Sequence, residues 1–303
     1  MNFPHHVLRN SAAALLLVFL FGPAATDQPA YRQAMEKWRQ DYQTSLTSED
    51  GWLTVAGLFW LHEGQNKFGS AAGNDVVLPA GAPAAAGYFD FHAGKTAVHV
   101  NQGVSATWIQ GKTPNTKPID AASLEPDSRQ DRLVVGGVVL YVHKSGERFA
   151  IRMKDKNSAL RKEFHGLKWF PVNETYRVAA RYEPYPAVKQ VEIQTVLGDK
   201  EHMTVAGQVV FTLNGKEYRL EAARDDDDGS LSFVFRDLTS KKDTYQAARF
   251  LDTDAPKDGK VDLDFNKAYN PPCAYNPYTT CPLPVPGNRL DVEIPAGEKR
   301  YHD

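Results

Sequence analysis

A chain of 303 residues can hold one large or two modest domains. Its 35 basic and 37 acidic residues leave a net charge of −2, which excludes the basic surface of a nucleic-acid binder. Five tryptophans and an 11% aromatic content exclude a disordered chain.

Met1–Ala25 reads as a secretory signal peptide. Arg9 gives a positive start, and the apolar run Ala12–Phe21 is too short to span a bilayer of ~30 Å. Gly22, Pro23, Ala24 and Ala25 supply the small residues that a signal peptidase needs. The alternative is an uncleaved anchor. No later stretch is apolar for long enough to cross a membrane, so no transmembrane segment is expected after cleavage. The mature protein is expected in the periplasm or the extracellular medium.

Within 26–50, Tyr31, Met35, Trp38, Tyr42 and Leu46 fall on one helical face, which predicts an amphipathic helix. The pattern then changes to short strands. Trp52–Leu61 is the most apolar stretch of the mature chain and predicts a buried strand bent at Gly57. Val76–Leu78, Gly87–Phe91, Thr96–Val100 and Ala106–Ile109 are further short strands. Leu133–His143 and Arg148–Lys154 predict a hairpin across Ser145-Gly146. Asn157–Phe164 suits a helical turn.

The segment Glu183–Pro186 marks a boundary between a first β lobe, 51–182, and a second, 183–303. In the second, Gln208–Ala222 predicts a hairpin across Asn214-Gly215, since both residues tolerate positive φ in a type I′ turn. Leu231–Arg236 and Thr244–Phe250 predict another antiparallel pair, and Leu290–Ile294 a last strand. Repeated short strands with turn signals define the expected class. It is all-β, with two sandwich or barrel-like lobes and one N-terminal helix.

Tyr269–Leu290 holds both cysteines and six of the nineteen prolines, so it is neither helix nor central strand. Cys273 and Cys281 in an exported chain favour a disulfide that pins this loop, over a zinc pair or a reactive thiol. No metal site or cofactor is expected. No G-x-S-x-G or H-E-x-x-H occurs. Gly94-Lys95-Thr96 and Gly111-Lys112-Thr113 lack the leading glycine of a phosphate loop. Asp225–Asp228 lacks the ligand spacing of an EF-hand loop.

Arginines at 148, 152, 161, 177 and 181, with Asp155, crowd one third of the chain. Guanidinium forks on a sheet face can hold a carboxylate or phosphate, or can form a salt-bridged outer face. Arg152, Asp155 and Arg161 are the candidates for anion contact. In the loop, Tyr269, Asn270, Asn288 and Arg289 are the candidates for rimming a pocket, with satisfaction of the loop's own backbone as the alternative.

The segments GWLTVAGLFWLHEGQNKFGSAAGNDVVLP, WFPVNETYRVAARYEPYP, DLTSKKDTYQAARFLD and LDFNKAYNPPCAYNPYTTCPLPVPGNRLDVEIPAGEKRY resemble the bacterial and archaeal family called domain of unknown function 1684. The resemblance runs from about Trp38 to Tyr301 and implies a shared fold, with no established catalytic residues to carry over. Phe68-Gly69-Ser70 and Asn74–Leu78 also resemble the opening of a forkhead-associated module. Ser70 stands where that module has arginine, and its Ser-x-x-His signature has no counterpart.

The expected role is binding of a small anionic or polar ligand, in a cleft between the lobes or beside the pinned loop. One alternative is an exported hydrolase with a carboxylate pair, such as Glu174 with Asp237 or Asp264. Another is an envelope scaffold. Oligomeric state has no sequence signal.

Overall fold

The computed structural model describes residues 28–110, 113–115, 122–127, 131–225 and 227–302. The expected signal peptide lies outside the described residues. Helix α1 (Gln28–Thr47) forms as its periodicity predicts, with Met35 and Leu46 buried on the face toward the body.

The first half pairs β1 (Val55–Trp60), β2 (Gly64–Gly69), β3 (Val76–Val77), β4 (Gly87–His92), β5 (Lys95–Val100), β6 (Ala106–Gln110), β7 (Thr113–Asn115), β8 (Ala122–Leu124), β9 (Asp131–Val135), β10 (Val138–Ser145) and β11 (Arg148–Asp155). Two sheets result, in the orders β1-β11-β10-β9-β6-β7 and β3-β2-β4-β5-β8. Their alternating inward residues make one core, with Phe68, Phe89 and Val98 facing Leu133, Leu140, Val142, Ile151 and Met153. Between Val55 and Gly57 the register of β1 on β11 slips, which places the expected bend as a bulge. The run Leu133–His143 is two strands rather than one. Gly136 and Gly137 take φ of 58° and 84° and turn the chain while its apolar alternation continues on both sides.

After a one-turn helix α2 (Ala159–Lys162) come β12 (Arg177–Gln194), β13 (Lys200–Leu213), β14 (Lys216–Arg224), β15 (Leu231–Phe235), β16 (Arg249–Thr253) and β17 (Lys260–Asp264). They form a curled sheet in the order β16-β15-β14-β13-β12-β17, a half-barrel around Val209, Phe211, Leu220, Phe233, Phe235 and Phe265. Asn214 and Gly215 take φ of 51° and 77° at the β13–β14 turn, as a type I′ turn requires. The boundary expected at Glu183 falls inside β12, which runs on as a ribbon with β13. At the ribbon's tip Asp199 receives two bonds of 2.7 Å from Arg148 and one of 3.0 Å from Ser145, so the second sheet grips the end of the β10–β11 hairpin.

The proline-rich segment lies irregularly over this body. Leu290–Ile294 is not a strand. It follows the exit of β15 through single bonds, Leu290 N–H to Arg236 O at 2.7 Å and Leu238 N–H to Val292 O at 2.9 Å. Pro286 and Pro295 flank it, and neither has an N–H to extend a ladder. Cys273 and Cys281 stand side by side as thiols rather than as the expected disulfide, with the Cys273 N–H 3.2 Å from Cys281 Sγ. Their mutual hydrogen bond pushes the Cys273 thiol up and draws Cys281 down.

Candidate functional site

Two depressions flank Trp52. The larger, about 1290 Å³, lies between α1, the two edge strands β16 and β17 of the half-barrel and the proline-rich segment. Helical spacing brings Trp38 and Tyr42 to it from α1, with their rings stacked at 5.6 Å. The Tyr269 ring stands 5.1 Å from that of Tyr42, and its hydroxyl donates to Asp252 Oδ2 at 2.6 Å. Burial and the Asp252 charge push the Tyr269 phenol well up, so it remains a donor. The lining also carries Asp252, Asp254, Asp262 and Asp264 with Arg177, Lys257, Lys260 and Lys267. Charge therefore balances there, and Arg177 is already spent on Asp262 at 2.6 Å.

Behind the aromatic wall sits a buried carboxyl. Glu298 is 1% exposed and accepts from Asn270 N at 2.8 Å, Asn270 Nδ2 at 2.7 Å and Tyr275 OH at 2.5 Å. Burial outweighs these bonds and raises it from 4.5 to about 7. The Tyr275 hydroxyl is 3.5 Å from that of Tyr42.

The smaller depression, about 590 Å³, is lined by Asp50, Trp52, Asp127, Arg132, Tyr141, Arg152 and Lys154. It gathers three cations. Arg132 and Lys154 reach Asp50 at 3.7 and 3.9 Å. Arg152 is 5% exposed, bonds the Tyr141 hydroxyl, and keeps an Nε with no partner.

The candidate residues do not converge. Arg152 faces the basic pocket and Tyr269 faces the cleft. Asp155 accepts from Asn157 N at 2.7 Å, an Asx turn leading into α2. Arg161 donates to Thr47 O at 2.6 Å and Lys156 O at 2.7 Å, closing the end of α1. Asn270 serves Glu298 and Lys299 O. Asn288 is buried and bonds only backbone. Arg289 is exposed beside Arg236. Arg148, Arg177 and Arg181 each pair with a surface carboxylate, as a salt-bridged outer face requires.

Of the carboxylates considered for hydrolysis, Asp237 is buried against Arg249, and Asp264 accepts from Tyr31 and Asn266. Among the described residues no three His, Cys, Asp or Glu side chains gather as a metal site.

Four polar residues escaped sequence reasoning: Glu298, and a chain of Asp127, His143 and Thr280. His143 Nδ1 is 2.6 Å from Asp127 Oδ1, and its Nε2 is 2.8 Å from Thr280 Oγ1. The last contact spans 137 residues of sequence, so no local motif announces it.

Fold and cleft define an all-β protein in which one N-terminal helix and a proline-rich segment wall an aromatic cleft on a half-barrel. Residues 162–299, just under half of the chain, match the family described as "Protein of unknown function (DUF1684)", which the chain resembles. The matched span is narrower than Trp38–Tyr301. It includes β16, β17, Tyr269 and Glu298, and leaves out α1 and the basic pocket. One similar solved structure is the solution NMR structure of the uncharacterized protein from gene locus rrnAC0354 of Haloarcula marismortui. It is 32% identical, over 46% of this chain and 78% of that one, with a TM-score of 0.39. No curated protein matches the chain.

Proposed function

We propose that the protein is an exported binder of a small polar ligand with one flat apolar face. Convergence of the Trp38, Tyr42 and Tyr269 rings on one wall of the large cleft carries this reading. Aromatic faces pack against flat apolar ligand surfaces, while placed polar groups fix orientation. The rest of the lining, with four carboxylates and four cations, suits a polar or zwitterionic molecule better than a strong anion. Export rests on Met1–Ala25, and pairing of Cys273 with Cys281 in that compartment would hold Pro272 and Tyr275 against the cleft.

The test is a metabolite-wide thermal-shift screen on mature protein. Hits are then titrated by tryptophan fluorescence in wild type, Trp38→Ala and Tyr269→Ala. Removing one stacking ring is expected to weaken binding roughly tenfold. A screen with no hit, or hits that bind both variants unchanged, would overturn the reading.

A further inference from the structure

We propose that Thr280, His143 and Asp127 form an acyl-transfer site that hydrolyses esters whose acyl group carries an anion, which the adjoining basic pocket holds. This site stands apart from the cleft and does not depend on it.

The geometry is that of a hydroxyl nucleophile, a base and an orienting carboxylate. Asp127 Oδ1 lies 2.6 Å from His143 Nδ1, and Thr280 Oγ1 lies 2.8 Å from Nε2. Burial raises the Asp127 carboxyl. The His143 bond and charge, the Lys144 N–H and the charge of Arg152 outweigh it, and the group sits below its ordinary value. An ionised Asp127 accepts from the Nδ1 proton. In the neutral ring, Nε2 then offers its lone pair to the Thr280 hydroxyl.

The support is built. Asp127 takes φ of 54°, which lets its N–H bond Val142 O at 2.9 Å while its Oδ2 accepts from Lys144 N at 3.1 Å. Thr280 is fixed on both sides. Thr279 Oγ1 bonds Asn276 O at 3.1 Å, and Cys281 O accepts from Val196 N at 2.9 Å. His143 is buried, whereas Thr280 is half-buried and so reachable.

Substrate class follows from the pocket that Asp127 shares. One imidazole ring separates Thr280 from that carboxylate, and the pocket also holds Tyr141, Arg152, and Arg132 and Lys154 paired with Asp50, which leaves Arg152 as the cation for an anion. The unpartnered, buried Nε of Arg152 is a donor awaiting an anion. In the reaction Thr280 Oγ attacks the ester carbonyl carbon and its proton passes to His143 Nε2. The bond to the alcohol oxygen breaks, and the alcohol leaves with that proton. Water then attacks the acyl-threonine and gives its proton to His143, which returns it to Thr280 Oγ as the acid departs.

Mono-4-nitrophenyl succinate and 4-nitrophenyl acetate are the probes, with nitrophenolate release and intact mass as readouts on mature protein. Wild type is expected to turn over the succinate ester and carry a succinyl group on Thr280. Thr280→Val and His143→Gln should lose at least ~10²-fold, while Thr280→Ser stays within about tenfold. Asp127→Asn should lower kcat for both esters. Arg152→Gln should raise KM for the succinate ester about tenfold and leave the acetate ester alone. Thr280→Val keeps the side-chain shape, and its melting temperature verifies the fold. Turnover by wild type no faster than by Thr280→Val, or no acyl group on Thr280, would overturn the proposal.

Discussion

Replacing Asn288 with alanine should unfasten the half-barrel. Strands β14 and β15 pair only at Ala223 with Ser232 and Arg224 with Leu231. Nearer the half-barrel core the strands separate, and the Asn288 side chain stands in for the missing rungs. Its Oδ1 accepts from Glu221 N at 2.7 Å, and its Nδ2 donates to Glu221 O and Val234 O, each at 2.9 Å. Asn288 is fully buried. Alanine would leave one N–H and two carbonyls without partners, at roughly 1–3 kcal/mol each before any water enters. With partial relief by water, a loss of about 3–5 kcal/mol is expected. At roughly 2 °C per kcal/mol for a chain of this size, the melting temperature should fall by about 6–10 °C. Asn288→Asp keeps the acceptor but turns a carboxylate on two carbonyl oxygens, and should cost at least as much. Urea and thermal unfolding followed by circular dichroism measure both. A loss below about 1 kcal/mol would refute the bridging role. Full stability with weakened ligand affinity would restore Asn288 as a contact residue.

Glu298 makes stability depend on pH. With its carboxyl raised from 4.5 to about 7 on folding, only the folded state holds the proton between those values. Stability should therefore fall as pH rises through that window, by roughly 3 kcal/mol in all, and then level off. Glu298→Gln should flatten the fall, read as urea midpoints at about pH 5 and about pH 8; equal slopes in both proteins would exclude Glu298 as the source. Arg161→Ala should cost about 1–2 kcal/mol by freeing the carbonyl ends at Thr47 and Lys156, yet leave ligand titrations unmoved. A shift in ligand affinity without a loss in stability would reverse that assignment. Mature protein recovered from an oxidising compartment and unfolded without reductant should titrate no thiol, whereas two reactive thiols would rule out pairing of Cys273 with Cys281.

What the sequence made legible was local. The face of α1 was readable because a helix repeats every 3.6 residues, and the Asn214-Gly215 turn because positive φ restricts its occupants. The Gly136-Gly137 turn was hidden by apolar alternation on both sides of it. The class of the protein followed from strand and turn spacing. The site did not, because Arg152 and Tyr269 belong to different depressions, and their neighbours Arg161, Asn270 and Asn288 satisfy distant backbone or a buried carboxyl. Polar residues in a proline-rich stretch look alike in sequence whether they meet a ligand or a stranded carbonyl. Only the partner's position tells them apart, and for Asn288 that partner lies 67 residues away.

Trp52 touches both hollows, and its indole is 40% exposed. It is a partition with a tenant on either side. A molecule seated against one face restricts how far the ring can swing toward the other. Arg152, 5.8 Å from that ring's centre, is the first group beyond the wall to feel the difference.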